Sequence, residues 1–200
     1  MTIRTYILIC FSLVVVSCHH SLKPIEYVKY VEDNKNGLHL KQTRQQFIYS
    51  LQYKPLDYVA LEELRQEQVT ASELQQEKKS FGNMQYFTFR ISSSDSTKDI
   101  LKEGTTTNEE YSQRQNYFDF HIQRDLKLIE DGDTLACRLC HCIRTYGLTP
   151  YADFVLAFDG NHKSQVDMLF KYDDKILNTG PVDFVIKHSS IKNLPEVKTE

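Results

Sequence analysis

The 200-residue sequence has no tryptophan and is sparing with residues that bend a chain sharply: seven glycines and five prolines. Most of these glycines and prolines fall in short turn-like clusters, which leaves little material for a phosphate-cradling loop. Neither G-x-x-x-x-G-K-[ST] nor G-x-G-x-x-G occurs. H-E-x-x-H and G-x-S-x-G are also absent, which removes the familiar signatures of zinc peptidases and of elbow-mounted serine nucleophiles. Charges of both signs are mixed along the chain, 24 Lys and Arg against 27 Asp and Glu for a net charge of -3. No basic stripe of the kind nucleic acid requires is present, so nucleic acid is not an expected partner. No catalytic motif is found, and a non-enzymatic role is the expectation.

Long apolar runs are missing too, with one exception at the start. A basic residue, Arg4, precedes Tyr6-Ile-Leu-Ile-Cys-Phe-Ser-Leu-Val-Val-Val16. That layout is a signal peptide, too short to span a bilayer. Val15-Val16-Ser17-Cys18 resembles the bacterial lipobox. The resemblance implies that Cys18 is the lipid-attachment residue, that residues 1–17 are removed, and that acyl chains including palmitate anchor the protein. Each buried CH₂ contributes about 0.8 kcal/mol, so several chains make a lasting anchor. Loss of Arg4 takes the net charge to about -4.

Residues 18–24 read as a short tether ending at Pro24, and residues 25–200 as a single domain, long enough to fold without metals or disulfides. Ile25 to Glu32 alternates in part and suggests a strand. Glu32-Asp-Asn-Lys-Asn-Gly37 imitates the start of an EF-hand loop, but Thr43 stands where a bidentate carboxylate is needed, so a turn is the better reading. Phe47 to Tyr53 and Met84 to Ile91 read as strands. Between them Pro55 opens an amphipathic helix with Leu56, Val59, Ala60, Leu64, Ala71 and Leu74 at helical spacing. Residues 92–108 form a polar insertion, and strands separated by turns fill the second half. The fold class expected is α+β: one domain, mainly antiparallel sheet, with one main amphipathic helix behind a cleaved signal helix.

Tyr117 to Leu128 alternates apolar and polar residues, the mark of a half-buried strand. Asp131-Gly132 is a preferred hairpin pair. Counting from that turn sets Leu128 opposite Leu135, Leu126 opposite Cys137, Arg124 opposite Leu139, Ile122 opposite His141 and Phe120 opposite Ile143. On the other face Asp125 meets Arg138 and Asp119 meets Arg144.

The returning strand contains Cys137-Arg-Leu-Cys-His-Cys142, whose first five residues have the C-x-x-C-H spacing of c-type haem attachment. In a regular strand Cys137 and Cys140 point to opposite faces, which disfavours haem at Cys137, Cys140 and His141. The same register puts Cys137 and His141 with the core and Cys140 and Cys142 opposite, beside His121. Those last three residues are the alternative ligand set for zinc or copper. Small polarizable side chains on a partly covered sheet face account for them better, so no cofactor and no disulfide is expected.

Tyr49-Ser-Leu-Gln-Tyr-Lys-Pro-Leu-Asp-Tyr58, the Asp131-Gly132 hairpin, and Thr145-Tyr-Gly-Leu-Thr-Pro150 before Phe154-Val-Leu-Ala-Phe158 together resemble uncharacterised envelope lipoproteins of Bacteroidota-type bacteria. The resemblance implies an address without an activity: the outer membrane, facing the periplasm, since no acidic run follows Cys18. A lipid-anchored binding or assembly component is expected, with the membrane and another envelope protein as partners.

Overall fold

A computed structural model describes residues 20–145, 148–160 and 165–200. Cys18 and the signal segment lie outside the described residues. Among the described residues no helix is long and apolar enough to cross a membrane.

The fold is α+β and dominated by antiparallel sheet. A two-residue strand β1 (Ser21–Leu22) leads into helix α1 (Pro24–Glu32), then strands β2 (His39–Arg44) and β3 (Phe47–Lys54), helices α2 (Leu56–Leu64) and α3 (Ala71–Ser80), and strand β4 (Met84–Ser93). Helix α4 (Asn108–Phe120) follows the polar insertion. Strands β5 (Leu126–Glu130), β6 (Asp133–Leu135), β7 (Cys137–Ile143), β8 (Tyr151–Asp159), β9 (Met168–Asp173) and β10 (Pro181–Ile186) come next. A short helix α5 (His188–Lys192) precedes β11 (Glu196–Val197), which pairs in parallel with β1.

Two sheets carry the core. One has the order β2-β3-β4-β8-β7 and the other β10-β9-β5-β6, with every neighbouring pair antiparallel. In β4 burial alternates at every residue, so Phe87, Phe89 and Ile91 point one way and Thr88, Arg90 and Ser92 the other. The apolar face meets the second sheet through rings. Phe89 lies 5.3 Å from both Phe170 and Tyr172, Phe87 lies 6.1 Å from Phe170, and Tyr49 lies 6.0 Å from Tyr172. Phenylalanine and tyrosine thus fill the layer that the missing tryptophan leaves to them.

Several sequence expectations give way to the packing. Residues 25–32 are helical rather than extended: Pro24 supplies the fixed φ of a first turn, the Glu26 carboxylate accepts the Lys23 N–H, and Tyr27 and Val31, four apart, are buried together. Ser21 and Leu22, read as tether, are held by β11. The single main helix is two, because the chain leaves α2 through Arg65 at φ 51 and restarts at a Thr70–Glu73 capping box.

The larger correction concerns residues 117–125. Tyr117 to Phe120 completes α4, and a 3-10 turn over Ile122–Asp125 follows; only Leu126 onward is strand. Arg114, Tyr117 and Phe118 form the buried helical stripe, while Phe120, expected in the core, is 67% exposed. The Asp131-Gly132 turn and its first pair, Leu128 with Leu135, are as expected. Both turn residues have positive φ, 52 and 83, as a type I′ turn requires. A Cβ on Gly132 meets nothing within 4 Å, so Gly132→Ala isolates backbone strain. It should cost about 1 kcal/mol in urea unfolding, and a loss well above that would show that the turn does more than reverse the chain.

Beyond Leu135 the expected hairpin stops. β7 leaves β5 and pairs with β8, so Leu126 faces Tyr172 instead of Cys137, and the pairs Arg124–Leu139, Ile122–His141 and Phe120–Ile143 do not form. Arg138 binds Asp159 across β8 at 2.8 Å, and Asp125 accepts the Tyr117 hydroxyl. Asp119 and Arg144 do form an ion pair, at 2.9 Å, but between α4 and the end of β7.

Candidate functional site

The alternative ligand set of His121, Cys140 and Cys142 comes apart with the register that suggested it. His121 caps α4 and borders a shallow hollow with Cys137, whereas Cys142 lies with Phe118 and Asp119 beside another pocket. Among the described residues no cluster of three His, Cys, Asp or Glu side chains is arranged to hold a metal.

The thiols themselves are placed differently from expectation. A bulge between Cys137 and Leu139 shifts the register by one residue, so Cys137, Cys140 and Cys142 align with Phe158, Leu156 and Phe154, all core-facing. The three cysteines therefore share one face and pack against the core, while His141, aligned with Val155, is exposed on the other. Cys137 keeps its expected side, but Cys140 and Cys142 are inward and His141 is outward, the reverse of the expectation for those three. A haem held by Cys137 and Cys140 would have its axial histidine on the wrong side of the strand.

All three are free thiols. Burial pushes Cys137 and Cys142 up to about 11, and Cys140, with both neighbours beside it, up to about 12. They are poor nucleophiles and poor metal ligands at neutral pH. Alkylation at pH 8, read by mass spectrometry, should be at least about a hundredfold slower than after unfolding, when ordinary thiol acidity returns. Equal rates would place them in solvent.

The groups that converge lie on the opposite face of the five-stranded sheet. Because β3, β4 and β8 alternate, their second side chains form rows across the strands: Lys41, Ser50, Arg90, Asp153 and Ile143 in one, and His39, Gln52, Thr88, Val155 and His141 in the next. Over these rows runs a groove of about 780 Å³. The Glu32 and Tyr58 side chains of α1 and α2 close one end, and Ser94, Ser96 and Pro150 border the other.

Its polar side chains are fixed by one another. Asp153 accepts from Arg90 Nε at 2.6 Å and from Nη2 at 2.7 Å, and the guanidinium lies 3.7 Å over the Tyr151 ring. Paired and stacked, Arg90 is held above its already high ordinary pKa, chiefly by the Asp153 hydrogen bonds. His39 Nδ1 faces the Glu32 carbonyl at 3.3 Å and Nε2 lies 2.7 Å from Ser50 Oγ. A carbonyl only accepts, so the ring proton sits on Nδ1 and the Ser50 hydroxyl donates to Nε2. Burial first, and then Lys41 and Arg90, lower the His39 pKa against the pull of the Glu32 carbonyl, which keeps the ring neutral at pH 7. The one Tyr58 proton is shared between Glu32, at 2.9 Å, and Glu62, at 3.1 Å, and Lys54 pairs with Glu62 at 2.8 Å.

None of these groove residues stands out in the sequence. Alternation in Phe47–Lys54 and Met84–Ser93 marks Ser50, Thr88 and Arg90 as outward, but only strand pairing brings them beside His39 and Asp153. Compared with protein-family models, curated proteins and solved structures, the chain matches none.

Proposed function

We propose that this chain is a lipid-anchored, non-enzymatic binding component of the cell envelope, attached through Cys18 and engaging its ligand across the groove on the five-stranded sheet. The observation that carries this reading is the Arg90–Asp153–Tyr151 assembly. An outer sheet face needs only solvated polar side chains; a guanidinium locked in plane by two short bonds and a ring is a prepared contact surface. The address rests on the lipobox resemblance at Val15 to Cys18 and on the resemblance to Bacteroidota-type lipoproteins.

A photo-crosslinking residue at Thr88, on the groove floor, tests the reading in intact envelopes, with Cys18 lipidation checked by mass. Capture from Thr88 that is absent from Lys127, on the other sheet, and is lost in Arg90→Gln is the expected result. Equal capture at both positions, or none, would sink it.

The 2.7 Å contact of Ser50 with a neutral His39 favours a second reading, a hydrolase with Ser50 as nucleophile and His39 as base. Against it, β3 is an interior strand whose amides are committed to ladders with β2 and β4, so no backbone N–H beside Ser50 is offered to an oxyanion. A fluorophosphonate probe decides: labelling at Ser50 that disappears in His39→Gln would replace the binding reading with this one.

A further inference from the structure

We propose that the β2 end of the groove binds an oxyanion group, phosphoryl or carboxylate, of a small ligand, held by Lys41, His39, Ser50 and Arg90. This rests on the groove being a ligand site and names the chemistry of its ligand.

Ser50 has Lys41 as its cross-strand partner on β2 and Arg90 on β4, so two cations flank one hydroxyl in a single row, each with Cβ spacing of about 5 Å. His39 stands in the adjoining row, within hydrogen-bond reach of the same hydroxyl. The acidic groups nearby are already engaged. Glu62 is held by Lys54, Glu32 takes the nearer share of the one Tyr58 proton, and Asp153 is closed by Arg90. Lys41 is exposed and has no carboxylate partner among the described residues. The site therefore offers an ammonium and the free part of a guanidinium, on a floor already fixed in place, and the Ser50 hydroxyl joins them once His39 is protonated and no longer accepts its proton. An anion with two or three oxygens satisfies them; a cation meets Lys41 and Arg90 and is repelled.

The histidine adds a direction with pH. The groups facing it are Lys41 on its own strand, Glu32 from α1, Ser50 and Gln52 from β3, and Arg90 from β4. The Glu32 carboxylate acts on the ring less than either cation does. An anion seated between those cations offsets their share of the opposition to protonation, burial remaining, and a protonated Nε2 donates to Ser50 Oγ and frees its hydroxyl for the anion. Binding should tighten as pH falls from about 7.5 to about 5.5, across the ordinary histidine range.

The test is titration of the full chain in detergent with inorganic phosphate and, separately, with acetate, at constant ionic strength in chloride, following the His39 ring by NMR. A saturable shift is expected for at least one ion, and the tighter of the two tells phosphoryl from carboxylate. Half-saturation should rise about tenfold in Lys41→Ala, the loss of one charge-assisted contact, and stay unchanged in Lys127→Ala. His39→Gln, which keeps a hydrogen-bonding side chain and is followed through the Ser50 amide because the ring is gone, should bind acetate with the pH dependence lost, phosphate keeping only that of its own ionisation. Absence of a saturable shift for either ion up to about 50 mM, or identical half-saturation in Lys41→Ala, overturns the anion site. If Thr88 still captures a ligand in that event, the binding reading survives and only the ligand's charge was misjudged.

Discussion

Asp174→Ala should unfold at markedly lower urea concentration than the parent chain, with a loss of about 3–5 kcal/mol. The carboxylate is buried at the end of β9, and five hydrogen bonds converge on it. One oxygen accepts the N–H groups of Ile176 and Leu177 and the Tyr172 hydroxyl; the other accepts the N–H and the hydroxyl of Thr179. The Thr179 oxygen, having donated, accepts from the Tyr49 hydroxyl at 2.7 Å, so the chain of bonds reaches from the turn into the aromatic layer. Alanine strands three backbone N–H groups at once, and water regains only part of the difference. A fall in melting temperature on the order of 10 °C is expected for a domain of this size. Asp174→Asn, which keeps one accepting oxygen, should lose roughly half as much. A melting temperature within about 2 °C of the parent's for Asp174→Ala would mean that the turn keeps its shape without the carboxylate.

Phe170→Ala is the second large effect, again about 3–5 kcal/mol. The ring is fully buried and sits among four others, 5.3 Å from Phe89, 6.1 Å from Phe87, 6.2 Å from Phe158 and 6.3 Å from Phe184. It is the point where the two sheets interdigitate, so neighbours on both sides would have to move to fill the space it leaves. Domain stabilities run to about 5–15 kcal/mol, so one such cavity removes a large fraction of the total. Phe120→Ala makes the contrast: that exposed ring should change stability by no more than about 0.5 kcal/mol. Comparable losses for the two variants would mean that the core lies elsewhere.

Phe120 also shows where local pattern misleads. Alternation from Tyr117 to Leu128 fits a strand, yet the same residues place Arg114, Tyr117 and Phe118 on one helical stripe, and both periods can be read from so short a run. The deciding signal lay upstream, in Thr107-Asn-Glu-Glu110. There the Thr107 side chain accepts the Glu110 N–H while the Glu110 carboxylate accepts the Thr107 N–H, a capping box that announces a helix. Thr70 to Glu73 does the same for α3. Where chemistry is local, as at Asp131-Gly132 or in the strict alternation of Met84–Ser93, the sequence is legible. The bulge at Cys137 is not, because it depends on which strand β7 joins, and a shift of one residue turns every later side chain over. The groove is hidden for the same reason: His39 and Ser50 share the β2–β3 hairpin, but Arg90 and Asp153 come from far along the chain and join them only through non-local pairing.

The pairing of Ser21–Leu22 with Glu196–Val197 brings the beginning and end of the described chain to one place. Those strands run in the same direction, with the Lys198 N–H reaching the Leu22 carbonyl and the Glu200 N–H reaching Val69. A peptide joining Glu200 to His20 would have to double back along the pair, which takes on the order of six residues at about 3.3 Å each. With that link made, the backbone is a closed ring and can be cut anew at an exposed tip such as Asp131-Gly132. Such a circular permutant would begin and end beside the second sheet, leaving the groove and both its rows of side chains on uninterrupted strands.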